Sequence, residues 1–495
     1  MKILIRQGVK STIYTYIGVF IGFLVSILFL PRMLEKEQLG LVNYMATLPI
    51  LFAEVIGLGF TTLFSRIFYL FKNKEKKNNG IFFLWLMWFC TGLIVFLIVF
   101  FFFRNYFIDE RHNPLLHQFI YWAIPLTIAY NIYLVLERYL RYIHFNASYS
   151  IFLKEIGVRV GLILCAILFF FKVINFVQFI AFYCIFQMVP AIFLLFKLGK
   201  EKELSFKPQL DFLNKELIKK ILRITGVSIS IGFFVNLAAT ISNIILEHKV
   251  NLSAVATFTI ATTLSNIISI PMRVSHSTSE PILRDSFTKG HLDLAFRIYQ
   301  KSCFIQTIIG IYFYLCLSLN VDNVLWLLPH NYMDVKIPIL LISLGTLFDM
   351  MTGVNDALIG TSPKYHYSIL SPFVLSGFTI FLNILLIPRW GVNGAAAATM
   401  FTFLLYNIYR YLFIYFFLGM QPYNASYLKI IILGLVLGIM IYFIPHFLHP
   451  IIDLGIRLFL ITGLWSALVL YFNLSPDITA FVTKWWNFLS IQLKR

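Results

Sequence analysis

Runs of about 20 apolar residues, each long enough to cross a hydrocarbon core of roughly 30 Å, recur along this chain from end to end. They fall near residues 10–31, 40–65, 81–103, 117–136, 151–171, 174–196, 221–246, 252–272, 298–319, 334–360, 367–387, 392–417, 427–444 and 452–472. Of the 495 residues, 59% are hydrophobic and only 13% charged, so a water-soluble core cannot hide the apolar surface. Within a bilayer every backbone polar group must be satisfied by the protein itself, and runs of this length satisfy it as helices. The expectation is an all-α integral membrane fold of about fourteen spanning helices.

The net charge of +18 would suggest nucleic acid in a soluble protein, but its placement reads as topology. With the N-terminus inside, 30 of the 40 Lys and Arg lie on inner-side segments and helix ends, 9 lie on the outer side, and Arg159 sits within a span. That alternation predicts an even helix count with the N and C termini both cytoplasmic. No nucleic-acid partner is expected. The first run, behind Lys2, Arg6 and Lys10, is too long for a signal-peptide core and lacks a small-residue cleavage site, so it is read as the first helix. The basic stretch Lys197 to Arg223 is either a solvated positive-inside loop or an amphipathic segment touching anionic lipid.

The chain also resembles itself at an offset of 218 residues: Gly8-Val9 matches Gly226-Val227, Tyr149-Ser150-Ile151 matches Tyr367-Ser368-Ile369, and Val173-Ile174-Asn175 matches Gly391-Val392-Asn393. One shared offset across equivalent segments favours an internal duplication. Parallel repeats imply two six-helix lobes with a substrate cavity between them, followed by two extra C-terminal helices. The expected divisions are 1–200 for the N-lobe, 201–220 for a basic cytoplasmic linker, 221–420 for the C-lobe, and 421–495 for the last two helices and a cytoplasmic tail.

Catalytic and metal motifs are missing: there is no G-x-x-x-x-G-K-[ST] phosphate loop and no H-E-x-x-H. The five cysteines are scattered through apolar runs, which indicates neither disulfides nor a metal site, and no cofactor is expected. Charges inside spans are the functional candidates, because each costs at least about 2.5 to 3.5 kcal/mol near a helix centre. Glu54 lies twelve residues before Arg66, hence about 18 Å along the helix and close to midplane. It suits proton coupling, or else it is a neutral acid hydrogen-bonded to a neighbouring helix. Asp349 and Asp356 are seven apart and share one helix face, in a span made polar by Thr346, Thr352 and Asn355. Subtracting the offset, Asp349 falls on Asn131. Arg159 follows Glu155 by four residues, a spacing that pairs them. Arg66, Arg138, Arg141, Arg223, Arg273, Arg284 and Arg410 cluster at cytoplasmic helix ends, where a guanidinium can snorkel or can grip a phosphate with its planar fork. The 53 Phe and 26 Tyr are expected to be mostly lipid-facing and interfacial.

Four segments carry a family resemblance. They are Gly8-Val9-Lys10-Ser11; Leu39-Gly40-Leu41-Val42-Asn43-Tyr44; Gly57-Leu58-Gly59 with Arg66; and Ile387-Pro388-Arg389-Trp390-Gly391-Val392-Asn393-Gly394-Ala395-Ala396, the most specific of the set. With them the chain resembles the polysaccharide-type flippases of the multidrug/oligosaccharidyl-lipid/polysaccharide exporter (MOP) superfamily. The resemblance implies a pair of six-helix lobes that alternates access and moves an undecaprenyl-diphosphate-linked oligosaccharide across the bacterial inner membrane, for O-antigen, capsule or exopolysaccharide assembly. It also implies a cationic cavity to which Arg66 and Arg273 would contribute, and coupling to an H+ or Na+ gradient with Glu54, Asp349 and Asp356 as candidate ion sites. Polyprenyl-diphosphate-linked oligosaccharide, membrane lipids and polysaccharide polymerase machinery are the implied partners.

Two sibling transporters compete with this reading, a lipid II flippase and an ion-coupled drug antiporter. A membrane-embedded polysaccharide polymerase or ligase would need a large outer loop rich in catalytic groups, and the outer segments here, about 14 and 17 residues at most, leave no room for one. The chain is therefore read as a transporter and not an enzyme.

Overall fold

The computed structural model describes residues 14, 15, 17–72, 80–107, 113–143, 148–201, 204, 215–445, 449–475 and 479. Residues 202, 203 and 205–214 of the expected basic linker at 201–220, the first residues of the first span and most of the C-terminal tail lie outside them, while 215–220, expected in that linker, already belong to a helix that runs Lys215–Lys249. Among the described residues there are helices and turns and no strand. In chain order the principal helices are α1 (Ile17–Met33), α2 (Lys36–Gly57), α3 (Phe60–Phe71), α4 (Ile81–Phe107), α5 (Pro114–Tyr142), α6 (Val158–Phe170), α7 (Phe176–Lys200), α8 (Lys215–Lys249), α9 (Leu252–Ser265), α10 (Ile270–Thr288), α11 (Leu292–Ser318), α12 (Lys336–Met351), α13 (Asn355–Thr361), α14 (Ser371–Leu418), α15 (Ala425–Tyr442) and α16 (Pro450–Tyr471).

Nine helices among the described residues are long and apolar enough to cross a membrane, or up to eleven if each of two bent pairs counts as one span. Large apolar side chains stand bare along them, including Phe196, Phe416 and Phe459, each more than 70% exposed. Water would not tolerate that surface and lipid does. This is a multi-pass membrane protein.

Several expected spans are broken. The run at 40–65 forms α2 and α3, separated by Leu58 and Gly59, both left-handed at φ 43 and φ 69. The run at 252–272 becomes α9 and α10, bent by 57°, and the run at 334–360 becomes α12 and α13, bent by 44°. The opposite holds for α14, whose 48 residues would reach about 72 Å if straight, more than twice a bilayer core. At Gly391 the backbone takes φ 55, ψ −126, a conformation closed to residues with a Cβ. A Cβ on Gly394 would lie 2.2 Å from the carbonyl oxygen of Leu386, and Leu382, Leu386, Ala397 and Ala398 share one apolar cluster. Residues 382 and 397 would be about 22 Å apart in a straight helix. The helix therefore folds back on itself at Gly391, and its arms are the two spans expected at 367–387 and 392–417.

The chain divides into two compact units, 1–259 with 375–380, and 260–374 with 381–495. In the first, α2 packs against α4, α5 and α8. Its contacts with α8 and the turn beyond it pair Gly40 with Leu252, Thr47 with Asn243, Glu54 with Gly232 and Gly59 with Ile229. Numbers rise along one helix as they fall along the other, so α2 and α8 run antiparallel, as alternating spans should. Many aromatics here are interior instead of lipid-facing: Phe60, Phe64, Phe68, Phe82 and Tyr139 are fully buried, with Phe82 and Tyr139 ring centroids 4.5 Å apart. Offset and edge contacts of this kind add about 0.5 to 1.5 kcal/mol each beyond burial.

In the second unit, α11 is the hub against which α10, α12, α15 and α16 pack. The last helix is fixed by a buried ion pair. Arg457 Nε donates to Asp453 Oδ2 at 2.8 Å, its two terminal nitrogens donate to the carbonyl oxygens of Ile441 in the last turn of α15 and Ile444 just beyond it, and Asn323 Nδ2 donates to the same Asp453 oxygen at 2.6 Å. The C-terminal carbonyls of α15 would otherwise lack partners in apolar surroundings.

Candidate functional site

The expected acids lie in two polar clusters, one in each unit. In the first unit, Glu54 is buried in α2, where Thr61 Oγ1 donates to its Oε1 at 3.4 Å. Its Oε2 has no hydrogen-bond partner among the described residues and points at Gly232 of α8, where a Cβ would come within 2.6 Å of it. Asn131 of α5 lies alongside. Its Nδ2 donates to the Ala53 carbonyl at 2.8 Å, while its Oδ1 is fully buried and also lacks a partner. Each residue thus keeps one buried acceptor oxygen to which nothing donates among the described residues, the kind of group a proton or small cation satisfies. Asn131, placed by the 218-residue offset as the counterpart of Asp349, thus packs on the stretch of α2 that carries Glu54, against Ala53 and Gly57.

The second cluster gathers both expected aspartates, by a route the sequence does not show. Asp349 and Asp356 do not share a continuous helix face, because the helix breaks at Thr352 to Val354 with Gly353 at φ 64. The freed backbone is caught by side chains: Ser302 Oγ accepts from Val354 N at 2.9 Å, Tyr427 OH donates to the Met351 carbonyl at 2.8 Å, and His276 Nε2 lies 3.3 Å from the Gly353 carbonyl oxygen. Irregular backbone within a membrane span persists where protein supplies such partners. Around the break, Asn407 of α14 donates to Asp349 Oδ1 at 2.9 Å and accepts from Thr352 Oγ1 at 2.8 Å and from Asn355 Nδ2 at 3.0 Å. Arg410, one turn on, donates to Asn355 Oδ1 at 3.3 Å and to Asp356 Oδ1 at 3.0 Å, with its guanidinium over the Tyr406 ring at 3.9 Å. An unbroken chain of bonds runs from Asp349 through Asn407 and Asn355 to Arg410 and Asp356. Beside it opens a cavity of about 210 Å³ lined by Phe348, Thr352, Asn407, Tyr411, Tyr423 and Tyr427.

The remaining candidates are dispersed. Arg66 is an exposed side chain on α3, and Arg273 one on α10. Of the other arginines at helix ends, Arg141 pairs with Glu137, Arg284 with Glu280 and Arg410 with Asp356, so these three are committed to carboxylates of the chain itself. Glu155 and Arg159 pair as their spacing indicates, Oε2 to NH2 at 2.9 Å. Sequence reasoning passes over Asn407, an amide with no periodic or charge signal, and also over the buried pair of Asn113 with Glu247. No group of three or more His, Cys, Asp or Glu side chains that could hold a metal ion occurs among the described residues.

A solved lipid II flippase, MurJ, in an inward closed conformation aligns over 95% of this chain and 100% of its own, with a TM-score of 0.72 at 12% identity. The chain has the MOP transporter fold. An inward-facing multidrug resistance MATE transporter of the same superfamily aligns over 81% of this chain and 93% of its own, with a TM-score of 0.59 at 15% identity. A MOP superfamily transporter from Pyrococcus furiosus aligns over 83% of this chain and 94% of its own, with a TM-score of 0.54 at 14% identity. No protein-family profile matches the chain. An uncharacterised membrane protein of Methanocaldococcus jannaschii is 25% identical over 122 residues, which is 25% of this chain and 24% of that relative's length. These neighbours of the MOP fold are transporters and flippases, not enzymes.

Proposed function

We propose that this protein is a flippase that carries an undecaprenyl-diphosphate-linked oligosaccharide across the bacterial inner membrane, serving O-antigen, capsule or exopolysaccharide assembly. The observation that carries the reading is coverage. The flippase fold accounts for 95% of the chain, whereas the multidrug transporter folds account for 81 to 83%. A chain with that extra length suits a lipid-linked cargo better than a small cation, by analogy of fold. A sugar headgroup cannot cross hydrocarbon unaided, because its hydroxyls would lose their hydrogen bonds, so it needs a polar passage while the prenyl tail stays in lipid.

In this reading about fourteen spans place both termini in the cytoplasm. Residues 1–200 and 221–420 are the two repeats, joined by the basic linker at 201–220, and 421–495 carry the last helix pair. Arg66 and Arg273 meet the diphosphate, and Glu54, Asp349 and Asp356 bind the H+ or Na+ whose gradient drives transport. Polysaccharide polymerase machinery takes the product. A lipid II flippase is the second reading, favoured by the similarity to MurJ.

The test is headgroup translocation in proteoliposomes, with fluorescent undecaprenyl-diphosphate oligosaccharide and lipid II as parallel cargoes under an imposed H+ or Na+ gradient. Protection of the first cargo from an external quencher, dependent on the gradient, supports the proposal. Movement of lipid II alone transfers the assignment to peptidoglycan precursors. If neither lipid moves while the same preparation exports small organic cations, the flippase reading fails.

A further inference from the structure

The pairing of Glu155 with Arg159 accounts for only part of the guanidinium. The helical run Ser148–Phe170 has Arg159 at its centre, with eleven residues on either side, so the charge sits in the middle of a span. NH2 meets Glu155 Oε2 at 2.9 Å, but NH1 is shut off from solvent and has no hydrogen-bond partner among the described residues. A buried, undonated N–H on a charged group is costly, and an ion pair kept only for packing is commonly no better than apolar residues of the same volume. The pair is nonetheless built in with care. Gly18 and Gly22 of α1 form its wall, and a Cβ at either position would come within 2.9 Å or 2.8 Å of the guanidinium. Both helices carry a π-helical turn nearby, Leu24–Phe29 on one and Leu153–Gly157 on the other, and such turns re-aim side chains. The side chains of Arg159 and Glu155 are 30% and 27% exposed, so the pair is within reach from the membrane or an aqueous passage.

We infer that Arg159 is an anion-binding residue that trades Glu155 for a phosphate-type oxyanion, with Glu155 as the internal stand-in that keeps the guanidinium neutralised between bindings. A phosphate offers more acceptor oxygens than the carboxylate: it can take NH2 in place of Glu155 and, once the guanidinium turns away from the Gly18 and Gly22 wall, NH1 in a second parallel bond. The inference rests on the flippase reading for its preferred ligand, the diphosphate of a lipid-linked cargo. A phospholipid headgroup presents the same chemistry, and the experiment separates the two.

The test is retention of ligand by the purified full-length protein, read by native mass spectrometry with undecaprenyl diphosphate in one arm and phosphatidylglycerol in the other. Because Glu155 competes with the ligand, Glu155→Gln strengthens retention roughly ten-fold and Arg159→Gln weakens it by a similar factor, the scale of one charge-assisted hydrogen bond. Arg159→Lys, which keeps the charge but not the fork, falls between them. The arm that shows the opposed response names the source of the phosphate. Gly22→Ala, which changes no charge, lowers retention by displacing the guanidinium, and it stands in if Arg159→Gln does not fold. Glu155→Gln weakening retention as Arg159→Gln does, or no response to either variant in both arms, overturns the inference and leaves a structural ion pair. Because the readout is binding, its failure is distinct from a failure to flip.

Discussion

Arg457 and Asp453 form an ion pair that is 1% and 0% exposed, one helical turn apart in α16, with the arginine also holding the carbonyl oxygens of Ile441 and Ile444. Removing one partner leaves a bare charge and open carbonyls in apolar surroundings. Arg457→Met alone should destabilise the protein by about 3 to 5 kcal/mol, and pairing it with Asp453→Leu should recover part of that loss. Thermal unfolding in detergent would check it; equal loss in the single and double variants would refute the account.

Glu54→Gln keeps the size of the side chain and its bond to Thr61 while removing the ionisable oxygen next to Gly232. Transport against an imposed gradient should be lost, whereas downhill exchange and thermal stability should remain. A variant that still responds to the gradient would remove Glu54 from the coupling mechanism. Gly232→Ala should reproduce the defect through space, since its Cβ would come within 2.6 Å of the carboxylate oxygen and push it aside.

Asn407 joins Asp349 to Thr352 and Asn355, so Asn407→Leu removes one hydrogen-bond partner from each of the three at once. A stability loss of about 1 to 3 kcal/mol is expected, together with a change in which cation supports transport. The milder Asp349→Asn keeps the bonded shape without the charge, and should alter ion dependence with little effect on melting.

Gly391 turns α14 back on itself at φ 55, ψ −126, and Gly391→Ala should cost about 1 to 3 kcal/mol because the turn excludes a Cβ. Melting temperature measures the cost. Insertion should survive, since both arms keep their hydrophobic length.

Single cysteines placed at Lys2 and Lys494, in a background with the five native cysteines replaced, should both resist a membrane-impermeant maleimide added to intact cells. Labelling at one end alone would mean an odd number of crossings.

The sequence by itself determined the solvent and the helical class, because bilayer thickness fixes segment length. It also supplied the acids at Glu54, Asp349 and Asp356, since a charge in a span stands out against apolar neighbours. Only the tertiary structure decided where the helices break, because a break within a membrane is tolerated when partners distant in sequence, such as Ser302 and Tyr427 around Gly353, catch the released backbone. It alone put Asn131 against Ala53 and Gly57 on the helix of Glu54, and linked Asp349 to Asp356 through Asn407 and Arg410. Amides and glycines carry no periodic signal, and their meaning comes from what the neighbouring helix places against them.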